Sequence, residues 1–193
     1  MIPAYPGNST GDRFSVLTYL ATLGGGISNS TGKAEITFCT ISGNTASKGG
    51  GIFLEDVQSD GGSGYNSQTT IRDSLIAANQ ADRGAQDVAG TRISGTLTLD
   101  GYNLIRDSTD LPFPLDKQHL IPMDKGTDVG IDKQLGDHGG ATKTLALLAG
   151  SPAIDAIPLD VCRQSGITTD QRGVKRPQGK GCDIGAYEYV PSQ

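Results

Sequence analysis

Asp124, Asp128 and Asp132 recur every four residues, with Gly126 and Gly130 between them. Hard carboxylate oxygens on a glycine-rich loop are the ligands calcium takes. The spacing matches neither an EF-hand loop nor a nonapeptide calcium repeat, so no cofactor is expected, with calcium as the alternative. Arg72 and Asp73 read as an outward basic and acidic pair on a strand. A polysaccharide lyase would need such a base beside several acids, yet only Asp73, Asp82 and Asp87 lie near it in sequence. The acidic stretch 55–68 (EDVQSDGGSGYNSQ) offers Asp56, Asp60 and Tyr65 as further candidate ligand contacts. The densest charged set is Asp155, Asp170, Asp183, Glu188, Arg172 and Arg176. It could bind calcium or sugar, or it could hold turn backbones and pair internally. The second use is favoured, because the Asp of Ser151-Pro-Ala-Ile-Asp155 follows an apolar stretch where turn backbone needs an acceptor. His119 and His138 stand alone and read as loop residues. No catalytic residue is assigned.

These side chains must be positioned by the elements around them. Gly24-Gly25-Gly26-Ile27 returns as Gly49-Gly50-Gly51-Ile52. A β-branched run ending in Asn also recurs, first as Ile36 to Asn44 and then as Ile71 to Asn79. A period in the twenties, strand-like content and glycine at the corners predict a β-solenoid. Aligning Ile36 on Ile71 places Cys39 on Ser74, Ile41 on Ile76 and Asn44 on Asn79. The in–out alternation slips at Phe38 and Asp73, as it does where a strand turns a corner into a second sheet. Cys39 then reads as a small inward core thiol, and Asn44 and Asn79 as corner residues. Each Asn tolerates a left-handed backbone and bonds the neighbouring coil. A third, degenerate coil runs through Asp87–Gly90 and Gly95–Ile105.

The predicted organisation is one domain, all-β, of about three coils. Residues 1–23 form an N-terminal plug, with a short amphipathic helix favoured over a strand for Asp12–Leu23 and Asp12 as its N-cap. Residues 24–133 carry the coils, interrupted by loops 55–68 and 106–133. Residues 134–193 form a loop-rich C-terminal cap. Cys162 and Cys182 flank a Gly/Pro/Gln-rich loop and read as a disulfide worth about 3 kcal/mol, two reduced thiols being the alternative.

Composition excludes several function classes. The net charge of −5 and a charged fraction of 19% give no basic footprint for nucleic acid. No stretch reaches the roughly 18 apolar residues that span a bilayer. The 28 glycines follow no triplet period, so collagen is excluded. With no Trp and 5% aromatic residues, stacking platforms for sugars are scarce.

Five motifs in order make the chain recognisable: Gly101-Tyr-Asn-Leu-Ile105, Asp137–Leu148, Gly150–Ala156, Thr169–Gln178 and Cys182–Glu188. Together they resemble the choice-of-anchor Q domain family of bacterial exported and surface proteins. The repeats before them resemble those of polymorphic outer-membrane, adhesin-like right-handed parallel β-helices. The resemblance covers about residues 24 to 189. It implies a β-helix in a secreted or cell-surface setting and supplies no catalytic residues to carry over. Ala156-Ile157-Pro158 departs from the glycine usual after that Asp. The expected function is a non-catalytic surface module, adhesin-like or a presentation scaffold. The alternative is a polysaccharide-active β-helix, a lyase or glycoside hydrolase with a glycan along its flank. A glycan or another cell-surface ligand is the expected partner, without nucleic acid or membrane insertion. The expected state is a monomer, with an end-to-end dimer as the alternative.

Overall fold

The computed structural model describes residues 20–30, 32–55, 67–91, 96–109, 111, 115–123 and 127–191. Twelve of its strands fall into three successive passes of four. The first comprises β1 (Leu20–Leu23), β2 (Ile27–Asn29), β3 (Gly32–Thr37) and β4 (Thr40–Ile41). The second comprises β5 (Thr45–Lys48), β6 (Ile52–Glu55), β7 (Ser67–Arg72) and β8 (Leu75–Ile76). The third comprises β9 (Gln80–Ala81), β10 (Val88–Thr91), β11 (Thr96–Asp100) and β12 (Leu104–Ile105). Each strand pairs in parallel with its equivalents, giving the sheets β1-β5-β9, β2-β6-β10, β3-β7-β11 and β4-β8-β12. The described residues are therefore nearly all-β, in stacked parallel sheets with no closed barrel. Among the described residues helix is confined to α1 (Leu159–Gln164) and a 3-10 turn at Lys117–His119.

Register explains the repeat. Ile36 pairs with Ile71 and Ile71 with Leu99, Ile41 with Ile76 and Ile76 with Ile105, and Ile27 with Ile52 and Ile52 with Val88. Three apolar ladders thus fill the interior between the sheets. Each fully buried rung contributes about 1.5–3 kcal/mol. The glycine blocks mark where backbone lies on backbone. A Cβ on Gly25 would stand 2.2 Å from the Gly50 carbonyl oxygen, and one on Gly50 2.2 Å from that of Gln80.

The slip in alternation expected at Phe38 and Asp73 is a left-handed corner, with φ of 49° and 50°. Gly101 takes the equivalent place after β11 at φ 62°. The second corner differs from expectation. Its left-handed residues are Gly43 and Ala78, at φ 71° and 57°, each one position before the asparagine. The asparagine side chains are thereby released to bond between passes.

Residues Leu20–Leu23 correct the helix expectation for Asp12–Leu23. They form β1, which pairs with β5, so the first pass begins before Gly24. The rest of the plug assignment, residues 1–19, lies outside the described residues. Of the expected loop 55–68, Glu55, Ser67 and Gln68 belong to strands and 56–66 lie outside the described residues. The segment after the third pass folds back over it. Leu120 makes a parallel bridge with Asn103, while Leu111, Leu115 and Leu120 pack on the interior cluster.

Residues 127–189 lie along the flank of the stack. On β4, β8 and β12 neighbouring side chains alternate between faces, so Ile76 and Ile105 point inward while Leu75 and Leu104 point out. Outside, Leu75 and Leu104 join Phe38, Ile157, Cys182 and Ile184 in a second core. Ala186 N donates to Thr40 Oγ1 of the first pass at 2.9 Å, and Gly185 N to the Asp73 carbonyl of the second at 2.9 Å. Here β13 (Ile157–Pro158) pairs antiparallel with β14 (Gly181–Cys182), and Cys162 and Cys182 form the expected disulfide with a Cα separation of 5.7 Å. Cys39 packs against the interior cluster as expected, though it is half-buried at the corner, with Sγ 3.3 Å from the Thr37 carbonyl.

Candidate functional site

Where the second corner meets the flank layer, the chain leaves a groove of about 620 Å³. One wall is built from the stacked corner: Ser42 and Gly43 after β4, Ala78 and Gln80 after β8, and Arg106 after β12. The other runs through 128–135, held in place by an antiparallel bridge between Ile131 and Leu147. Ile131 and Leu145 supply a buried apolar base, and Leu135 is one of the few exposed large apolar side chains among the described residues. Asp128, Asp132, Lys133 and Gln134 bring polar groups to the same wall.

The groove is electrostatically mixed. Arg106 and Lys133 face it with no ion pair to any described residue. Asp128 accepts the Gly130 N–H at 2.9 Å on one oxygen, an Asx turn that shapes the wall. Asp132 Oδ2 lies 3.2 Å from His138 Nε2, and His138 stands edge-on to Tyr187 with ring centroids 5.8 Å apart. Two of the three residues proposed from sequence for calcium therefore line one cavity. Asp124 lies outside the described residues. Among the described residues no three His, Cys, Asp or Glu side chains converge on a point that could hold a metal.

Of the pair Arg72 and Asp73, expected outward, only Asp73 departs from that placement. Asp73 is wholly buried, because the left-handed corner turns its side chain beneath the next pass. Its Oδ1 accepts Tyr102 N at 2.9 Å, and Oδ2 lies 3.3 Å from Arg72 Nε. Burial raises its carboxyl above the usual range. Arg72 stays half-exposed and reaches Asp100 at 3.4 Å. Asp56, Asp60 and Tyr65 lie outside the described residues.

The asparagines form a buried ladder. Asn44 N and Nδ2 donate to Asn79 Oδ1 at 3.1 and 3.0 Å, and Asn79 N and Nδ2 donate to Asp87 Oδ1 at 3.1 and 2.8 Å. Asp87 terminates the ladder as its acceptor. Burial pushes its carboxyl up to about 6. At the first corner Ser74 Oγ accepts Cys39 N, and Asn103 Oδ1 accepts Ser74 N, at 3.1 and 3.0 Å.

The charged set of the flank layer is spent on backbone. Asp170 accepts from Arg172 N, Val174 N and Glu188 N, and takes the Arg172 guanidinium at 2.7 Å. Arg172 also covers the Tyr187 ring at 3.5 Å. Glu188 accepts from Gln178 N and Asp183 N and pairs with Arg176 at 2.9 Å. Arg176 donates further to the Asp183 and Gly185 carbonyls and lies over the Phe38 ring. Asp183 accepts Asp155 N and Tyr189 N, and Asp155, left-handed at φ 54°, accepts Gly181 N. Burial raises Glu188, and it pushes Asp183 up to about 7.

Sequence reasoning missed Arg106, Lys133, Gln80 and Ser42 as groove residues. Ser42 and Arg106 share a signal, since each follows an isoleucine of the same interior ladder. Nothing periodic announces the opposite wall. His119, expected as an isolated loop residue, lies with Nδ1 2.9 Å from the Gly101 carbonyl oxygen. Comparison with family models, curated proteins and solved structures found no match.

Proposed function

We propose that the chain is a right-handed parallel β-helix of the choice-of-anchor Q type. It would act in an oxidising, extracellular or cell-surface setting as a non-catalytic module, adhesin-like or a scaffold that presents loops. One observation carries this: Asp73, Asp87, Asp170, Asp183 and Glu188, the buried carboxylates, each accept at least one main-chain N–H. A catalytic acid or base must reach substrate with a lone pair or proton to exchange, whereas these hold turns and stacked passes. The Cys162–Cys182 bridge supports an oxidising compartment. No helix among the described residues is long and apolar enough to cross a membrane.

The test is turnover. Pectin, alginate, chondroitin and xylan are incubated at length with and without calcium, reading unsaturated-product absorbance and reducing-end release. Neither signal is expected to rise above a protein-free blank. Turnover abolished by Arg72→Ala would refute the non-catalytic assignment and establish the polysaccharide-active alternative.

A further inference from the structure

We infer that the groove between the Gly43/Ala78 corner and the 128–135 wall is a binding site for a short, uncharged, hydroxyl-rich saccharide. It rests on the reading of the chain as a non-catalytic module and gives that module a ligand. Three features of the cavity point to this chemistry. First, the formal charges balance, with Arg106 and Lys133 against Asp128 and Asp132, so a ligand carrying a run of like charges gains nothing from the site as a whole. Second, donors and acceptors alternate around one space. Neither Arg106 nor Lys133 has a carboxylate within ion-pair distance among the described residues, although the Arg106 charge still acts on buried Asp87. Asp128 engages one oxygen with Gly130 N, and its other oxygen takes part in no described hydrogen bond. Hydroxyl groups both donate and accept, so a saccharide can serve both kinds of partner, whereas an anion can serve only the donors. Third, the site has room and an apolar base. A Cβ on Gly43 would meet nothing within 4 Å, and Ile131, Leu135 and Leu145 offer the surface against which the C–H face of a sugar ring packs.

The corner wall is built from all three passes, so the site takes its length from the stacking of the fold itself. Without an aromatic platform among its lining residues, affinity depends on charge-assisted hydrogen bonds and is modest.

The experiment is a two-dimensional NMR titration of the full chain. The neutral probes are maltotriose, cellotriose, xylotriose and mannotriose, with trigalacturonate as the anionic comparison. At least one neutral trisaccharide is expected to shift amides of Gly43, Ala78, Val129 and Lys133 saturably, and more strongly than trigalacturonate. Arg106→Gln with Asp128→Asn should weaken that binding about tenfold or more, since each lost charge-assisted bond is worth about that much. Asn at 128 still accepts the Gly130 N–H, so melting temperature should be retained; Lys48→Gln, outside the groove, should bind normally. No saturable shift from any neutral probe, shifts located elsewhere, or preference for trigalacturonate would each overturn the inference. Binding failure leaves the non-catalytic assignment standing. Turnover of a polysaccharide removes that assignment without touching the groove.

Discussion

Replacing Asn79 by alanine removes the central rung of the buried amide ladder. Asn79 Oδ1 accepts the Asn44 N–H at 3.1 Å, and its loss leaves that buried donor without a described partner. Asn44 Nδ2 keeps its bond to the Ser42 carbonyl at 3.3 Å, so the damage there is partial. Ile41 O retains Ala77 N at 3.2 Å. Asp87 Oδ1 loses the 2.8 Å amide donor but keeps the Asn79 backbone N–H. One orphaned buried donor costs about 1–3 kcal/mol, and one lost bond to a carboxylate about 1.5–3 kcal/mol. Relaxation and entering water offset part of this, so the net expectation is about 3 kcal/mol. For a chain of this size that lowers the midpoint by about 6–12 °C. The assay is calorimetric or circular-dichroism melting beside Gln80→Ala, whose exposed side chain lies next in sequence and should cost under about 0.5 kcal/mol. A loss below about 1 kcal/mol for Asn79→Ala, or equal losses for both variants, would refute the ladder as a stabilising element.

Two further outcomes follow from buried chemistry. Thiol counting on denatured, non-reduced protein should find one reactive group, Cys39, and reduction should cost about 3 kcal/mol of stability; three reactive groups would remove the bridge. Burial raises Asp87 to about 6 and Asp183 to about 7, so the native state favours their protonated forms. That stabilisation is complete below the unfolded carboxyl pKa and is lost as pH rises through about 6 to 7. The melting temperature should therefore rise from pH 8 to pH 5, by a stability gain on the order of 4 kcal/mol, about one pH unit of linkage from Asp87 and about two from Asp183. Asp87→Asn should remove the part of that rise that accrues below about pH 6, and a wild-type curve flat or falling from pH 8 to pH 5 would contradict the sign.

Much of the stack was legible because stacking imposes the same surroundings on equivalent residues. Ile36 and Ile71 occupy one ladder, so they are alike, and the slip at Phe38 and Asp73 announced a corner. The signal weakens in the third pass, where Leu99 stands in the Ile71 ladder at a shorter interval. Asp73 was misjudged because alternation counts along an extended strand, and a left-handed residue resets the count. The flank layer could not be placed from pattern. Its anchoring contact joins Ala186 to Thr40 across 146 positions, and such a pairing occurs once, without periodicity. The groove shares that difficulty, since only its corner wall repeats.

The pairing of successive passes underlies the ladder, the corner wall of the groove and the buried carboxylates, and cross-linking tests it directly. Glu35 and Thr70 are register partners on β3 and β7. Neighbouring strands lie about 4.8 Å apart, within the Cα separations that a disulfide spans. In a Cys39→Ser background, Glu35→Cys with Thr70→Cys should oxidise rapidly, with loss of both new thiols. Lys33→Cys with Thr70→Cys, offset by two residues on the same strands, should lag at least about tenfold. Equal rates, or faster closure of the offset pair, would contradict the stacked register.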